Sequence, residues 1–141
     1  MSNKAHTDLA RRWVEALNQG GAAARIEEFY TTDYVYHSPG LPTPIRGLEG
    51  MRSYIEGIET AFPDGRYVLE DVLVDGDKVA VRITARITHA GTFNGIPATG
   101  KQAEFWLMSF IRIADGKFAE EWELGDSLSL LQQLGVVSLP D

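Results

Sequence analysis

The chain has 141 residues, 44% hydrophobic and 23% charged, which are the proportions of one folded domain spanning 1–141 with a core of ordinary size. Twenty acidic residues against 13 Lys and Arg leave a net charge of -7, which argues against nucleic acid and against an anionic membrane surface as partners. The sequence has no cysteine, which excludes disulfides, thiolate nucleophiles and zinc–thiolate sites. No run approaches the ~20 apolar residues of a membrane span, and the opening residues carry no apolar signal segment, so a cytoplasmic location is expected.

The first half reads as helical. Leu9, Trp13 and Leu17 recur every four residues, with Ala10, Val14 and Ala16 beside them, which predicts a helix over Asp8 to Gln19. Thr7 or Asp8 is its expected N-cap, and Gly20-Gly21 its stop. A short helix is expected over Ala22 to Tyr30, a strand over Asp33 to His37, and a third helix over Leu48 to Ala61. The second half alternates with period two. Lys78 to Thr88 places Val79, Val81, Ile83, Ala85 and Ile87 on one face. Gln102 to Ile113 does the same with Ala103, Phe105, Leu107, Ser109, Ile111 and Ile113. In Lys117 to Gly125, strict alternation groups Phe118 with Glu120, Trp122 and Leu124, opposite Ala119, Glu121 and Glu123. Asp75-Gly76 and Asp115-Gly116 suit tight hairpin turns, and Ser127 to Leu134 suits a final helix. Helices followed by an antiparallel meander predict an α+β fold, its curled sheet closed off by helices around an interior pocket.

Four carboxylates fall within seven residues, at Glu120, Glu121, Glu123 and Asp126. A solvated strand face accounts for such a run. The alternative turns one alternating set into an apolar interior, where desolvation raises a carboxyl pKa and makes a better general base near neutral pH. Ser109 lies on an otherwise apolar strand face, where its hydroxyl can bond a cross-strand carboxylate or a ligand. His37, at a strand end, reads equally as a partly buried histidine satisfied by backbone or as a pocket donor to a ligand carbonyl. His89 sits in a long Gly-rich loop and reads as solvated. Trp13, Trp106 and Trp122 read as core or pocket lining. The three histidines, at 6, 37 and 89, lack metal-ligand spacing, and no metal site is expected.

Several of these segments together resemble one family. They are Tyr34-Val35-Tyr36-His37-Ser38-Pro39, Ala61-Phe62-Pro63-Asp64, and the stretch from Thr88-His89-Ala90-Gly91 to Pro97-Ala98-Thr99-Gly100. Glu120-Glu121-Trp122 and Leu131-Gln132-Gln133-Leu134-Gly135 continue the match. The chain resembles the SnoaL-like polyketide cyclases of the nuclear-transport-factor-2-like superfamily. The resemblance implies a cone-shaped, strongly curved mixed or antiparallel sheet wrapped around N-terminal helices (a cystatin-like α+β barrel), commonly homodimeric. It also implies a cavity for a hydrophobic, carbonyl-containing small molecule. It further implies ring closure by an intramolecular aldol reaction begun by a carboxylate, with neither metal nor organic cofactor.

On that basis Glu123 is expected as general base, with Asp126 as runner-up. His37 and Ser109 would orient or polarise a carbonyl, and Glu121, Trp122, Trp13 and Leu107 would contact substrate. Two positions depart from the cyclase pattern. Glu123 stands where the family carries aspartate, and Ser109 where it carries histidine. Two rival functions share the fold: a hydrophobic small-molecule binder without chemistry, and an epoxide hydrolase or double-bond isomerase.

Overall fold

Ser2 opens the fold by accepting a hydrogen bond from the Ala5 amide at 3.1 Å, so α1 (Asn3–Gln19) begins about a turn before the expected cap. The structure is a computed structural model that describes residues 2–140. Leu9, Ala10, Val14 and Ala16 form the buried stripe of α1, and Gly20, with φ +78°, ends it. The expected second helix divides into a 3-10 turn (Ala22–Arg25) and α2 (Ile26–Phe29). Tyr30 already belongs to β1 (Tyr30–His37). There follow β2 (Ile45–Arg46), α3 (Gly47–Ala61), β3 (Arg66–Asp75), β4 (Lys78–Thr88), β5 (Gln102–Ala114), β6 (Lys117–Gly125) and α4 (Ser127–Gln133).

The six strands form one mixed sheet in the order β2-β1-β6-β5-β4-β3. Only the β1–β6 pairing is parallel; the other neighbours run antiparallel. The β5–β6 hairpin turns at Asp115-Gly116, both with positive φ, as a two-residue type I′ turn requires. In the β3–β4 hairpin the turn residues are Gly76-Asp77, with Gly76 at φ +62°. One sheet face packs on α1 and α3. Its core joins Leu9, Ile26, Phe29, Tyr30, Tyr34 and Phe118, among others.

The long β4–β5 loop is fastened by a histidine, contrary to the solvated reading of His89. That side chain is fully buried. Its Nδ1 accepts from the Thr99 amide at 3.2 Å, and its backbone N–H donates to Lys101 O at 2.9 Å. Thr88 Oγ1 donates to Asp64 Oδ2 at 2.9 Å, tying the loop's root to the turn after α3. The Ala90 and Gly91 amides both donate to Ala61 O, at 3.0 and 3.1 Å. The Thr88–Gly100 and Phe62–Asp64 segments therefore meet as one structural clasp.

At Gly91 this clasp leaves no room for a side chain, since an added Cβ would collide with the backbone oxygen of Thr60. Gly91→Ala is expected to destabilise by about 2 kcal/mol or more. Gly57→Ala, in α3 where an added Cβ meets nothing within 4 Å, is expected to be neutral or to gain up to ~1 kcal/mol. Urea unfolding of both variants checks the pair.

Candidate active site

A one-residue irregularity in β6 determines which carboxylates face the helices. Ile113 pairs with Phe118 and Arg112 with Glu120, so Ala119 has no cross-strand partner. This bulge resets the alternation. Phe118 joins the inner face ahead of it, and Glu121 and Glu123 take the inner face after it. The expected grouping of Phe118 with Glu120, Trp122 and Leu124 does not hold.

The inner face and the helices enclose a pocket of about 410 Å³. Trp13 and Val14 of α1, Tyr54 and Ile55 of α3, and Tyr36 and Leu107 of the sheet contribute to its walls. Its exposed lining residues Gln19, Gly20, Pro63, Asp64 and Arg66 mark the open end. Trp13 is held edge-on against Phe29, Tyr30 and Phe118, with ring centroids 5.1 to 6.5 Å apart.

Two carboxylates reach this pocket on adjacent inward positions of β6. Glu121 is only 7% exposed and accepts a hydrogen bond from Tyr34 Oη at 2.6 Å. Glu123 accepts from Tyr36 Oη at 2.5 Å and from Ser109 Oγ at 3.2 Å. Ser109 is the direct cross-strand partner of Glu123. The Tyr54 hydroxyl stands 3.5 Å from that of Tyr36. Since the Tyr36 proton is committed to Glu123, Tyr54 keeps a donor that can turn to a ligand.

Burial pushes the pKa of both carboxyls up. For Glu121 the charge of Glu123 adds to desolvation, and its pKa is raised to about 7. Tyrosine and serine donors oppose the shift at both sites without reversing it. Among the described residues neither glutamate forms an ion pair. The arginine pairs with Glu27, Asp71, Glu104 and Glu120 all involve other carboxylates. Tyr34 and Tyr36 are themselves driven well above the ordinary phenol range, chiefly by burial, and stay donors at any working pH.

The remaining candidates lie elsewhere. His37 follows Tyr36 in the β1 alternation and faces the opposite side of the sheet. There Nε2 lies 2.8 Å from Glu120 Oε2, and the ring stacks on Trp122 at 5.3 Å. Trp122 alternates away from the pocket for the same reason and is 41% exposed. Trp106 is likewise on the outer face. Asp126 is exposed, and its carboxylate caps α4 by accepting from the Ser129 amide at 3.1 Å. The structure thus brings Glu121, Glu123, Ser109, Trp13 and Leu107 together and separates His37, Trp122 and Asp126 from them. Sequence reasoning missed Tyr36, Tyr34 and Tyr54. The alternation Tyr34-x-Tyr36 in a strand was the available signal for the first two.

A buried carboxyl with a raised pKa makes stability depend on pH. Between the unfolded value near 4.5 and about 7, folded Glu121 keeps a proton that the unfolded chain has released. Stability therefore falls as pH rises through that window, by up to about 3 kcal/mol. Glu121→Gln mimics the protonated side chain and is expected to flatten this fall. Urea midpoints at pH 5 and pH 8 for both proteins measure it.

Comparison with known proteins agrees with this architecture. Over 134 residues the chain is 31% identical to aklanonic acid methyl ester cyclase DnrD of Streptomyces peucetius, covering 91% of this chain and 89% of that protein. TsrD of Streptomyces laurentii superposes with a TM-score of 0.86 at 30% identity, over 97% of this chain and 99% of that one. IdmH of Streptomyces antibioticus gives 0.79 at 33% identity, over 92% and 98%. Residues 7–134 match the family described as SnoaL-like polyketide cyclase, and the chain belongs to that family.

Proposed function

We propose that the protein is an enzyme that closes a ring in a hydrophobic, carbonyl-containing small molecule, with Glu123 as the general base. One observation carries this reading: the Glu123 carboxylate lies in an apolar, aromatic-walled pocket, held there by Tyr36 and Ser109. Desolvation raises its basicity, and two donors fix its direction. A methylene flanked by carbonyls is acidic enough for such a base. Glu123 takes its proton, and the bonding pair is left as an enolate. The enolate carbon then attacks a second carbonyl carbon of the same molecule. The pocket wall supplies proximity by holding the chain folded. The Tyr54 hydroxyl is placed to donate to a substrate carbonyl, the role that the sequence suggested for His37.

The name of the relative DnrD indicates a probe, aklanonic acid methyl ester. Glu123→Gln is expected to lower its turnover by at least ~100-fold while leaving folding and ligand binding intact. Thermal stabilisation by the probe without turnover in the unmutated protein would instead favour the non-catalytic binder.

We also propose that the working form is a homodimer joined through the outer sheet face. That face carries exposed Leu73, Met108, Phe110, Trp122 and Leu124, with Leu73 at 71% and Phe110 at 65%. Contiguous apolar surface of this kind is uncommon on a monomer. Phe110→Asp, which touches no core position, is expected to convert the dimer to a monomer in light scattering after gel filtration.

A further inference from the structure

Glu123 accounts for removal of a proton, but ring closure also needs a proton delivered to the new alkoxide. Ser109 cannot hold one near neutral pH, and His37 lies on the other face of the sheet. The second buried glutamate is in a different situation. Glu121 lines the same pocket two positions from Glu123, so the two are about 7 Å apart along the strand. A single substrate can touch both. The geometry points to Glu121 as the acid partner of Glu123: it hands a proton to the forming alkoxide, and Ser109, directly across from Glu123 and diagonal to Glu121 on the same inward face, returns a proton from Glu123 afterwards. This rests on Glu123 being the base.

The surroundings favour one shared proton. The groups facing the pair are Tyr30, Tyr34 and Tyr36 of β1, Tyr54 of α3, Tyr67 of β3 and Ser109 of β5, all uncharged near neutral pH. From α1 the pocket receives Trp13 and Asn18, neither of which titrates. Glu59, Asp64 and Arg66 also line the pocket, the last two at its open end. The Glu59 carboxylate is occupied by the Ala23 amide at 3.0 Å, and Arg66 Nη1 donates to Asn18 O at 3.2 Å. Two carboxylates without a paired cation do not both ionise readily in such a space. Glu123 has two donors and takes the charge; Glu121 has Tyr34 and a weaker share of Ser109, and keeps the proton.

The step balances. Glu123 removes the proton from carbon, and that electron pair becomes the new C–C bond. The attacked C=O π pair moves to oxygen, which takes the Glu121 proton. Glu123 is then the acid and Glu121 the carboxylate. Ser109 accepts from Glu123 and gives its own proton to Glu121, which restores the starting state.

The test compares Glu121→Gln with Glu123→Gln, using aklanonic acid methyl ester as probe and two readouts: deuterium exchange at the acidic carbon, and ring closure. Glu121→Gln is expected to keep exchange within about threefold and to lose closure by about 100-fold or more. Glu123→Gln is expected to lose both. Ring closure at the wild-type rate in Glu121→Gln would overturn the acid role and leave the base standing. Persistent exchange in Glu123→Gln would overturn the base itself. A substrate-free measurement stands beside these, the titration of ¹³C-glutamate-labelled protein by NMR. It should show one protonated glutamate at neutral pH that disappears in Glu121→Gln. Glu121 ionised at neutral pH would overturn the proposal whatever the probe does.

Discussion

The unpaired residue Ala119 in β6 sets the chemical character of the interior. Ahead of it Phe118 faces the helices, and beyond it Glu121 and Glu123 do. Had the alternation run unbroken from Phe118, the inward set would have been Glu120, Trp122 and Leu124, with Glu121 and Glu123 in solvent. The neighbouring strands are built to the actual arrangement. Tyr34 and Tyr36 of β1 and Ser109 of β5 end their side chains at the two inward carboxylates. On the outer face Glu120 meets His37 and Arg112. The three glutamates of the cluster thus have partners suited to their faces: neutral hydroxyls for Glu121 and Glu123 inside, side-chain nitrogens for Glu120 outside.

The distinction matters energetically. An exposed ion pair such as Arg86–Glu104 is screened and contributes little to stability. A carboxylate taken out of water without a counter-ion loses several kcal/mol of hydration, and tyrosine hydroxyls restore only part of it. The least costly state of the pocket keeps one proton on the pair. The cost of burying two acids is thereby linked to a property that proton transfer can use: burial raises both carboxyl pKa values, that of Glu121 to about 7. A cation in the pocket would reduce that cost and would lower both pKa values.

Much of this was legible in the sequence. The period-two run of Val79, Val81, Ile83, Ala85 and Ile87 marks β4 to the residue, because such alternation has no helical explanation, and the bounds of β6 also match although its alternation is broken. The strand β3 escaped because Glu70-Asp71 interrupts its alternation; the pairing shifts between Leu69 and Asp71, where a bulge absorbs the extra residue. The bulge at Ala119 was hidden in a different way, since alanine tolerates either face and leaves no mark on the pattern. The inward direction of Glu121 and Glu123 could therefore be posed as an alternative but not decided. Trp106 and Trp122 misled for a related reason. β5 carries large apolar side chains on both faces, so hydrophobicity alone cannot say which set meets the helices and which remains uncovered.

The two departures from the cyclase pattern acquire a common explanation from the register. Ser109 and Glu123 are direct cross-strand partners, so the positions where the family has histidine and aspartate face each other across one pair of strands. Cross-strand neighbours share one volume of space. A ring replaced by a hydroxymethyl group leaves a gap on β5, and one added methylene on β6 extends the carboxylate by roughly 1.5 Å toward it. The longer acid can then reach the shorter hydroxyl, and the observed Ser109–Glu123 bond of 3.2 Å is that contact. What the exchange gives up is a side chain able to store a proton near neutral pH. On the same inward face the buried Glu121 carboxyl has its pKa raised to about 7. Under the proposed mechanism, substitution at one cross-strand pair shifts proton storage from β5 to β6, the strand that carries both glutamates.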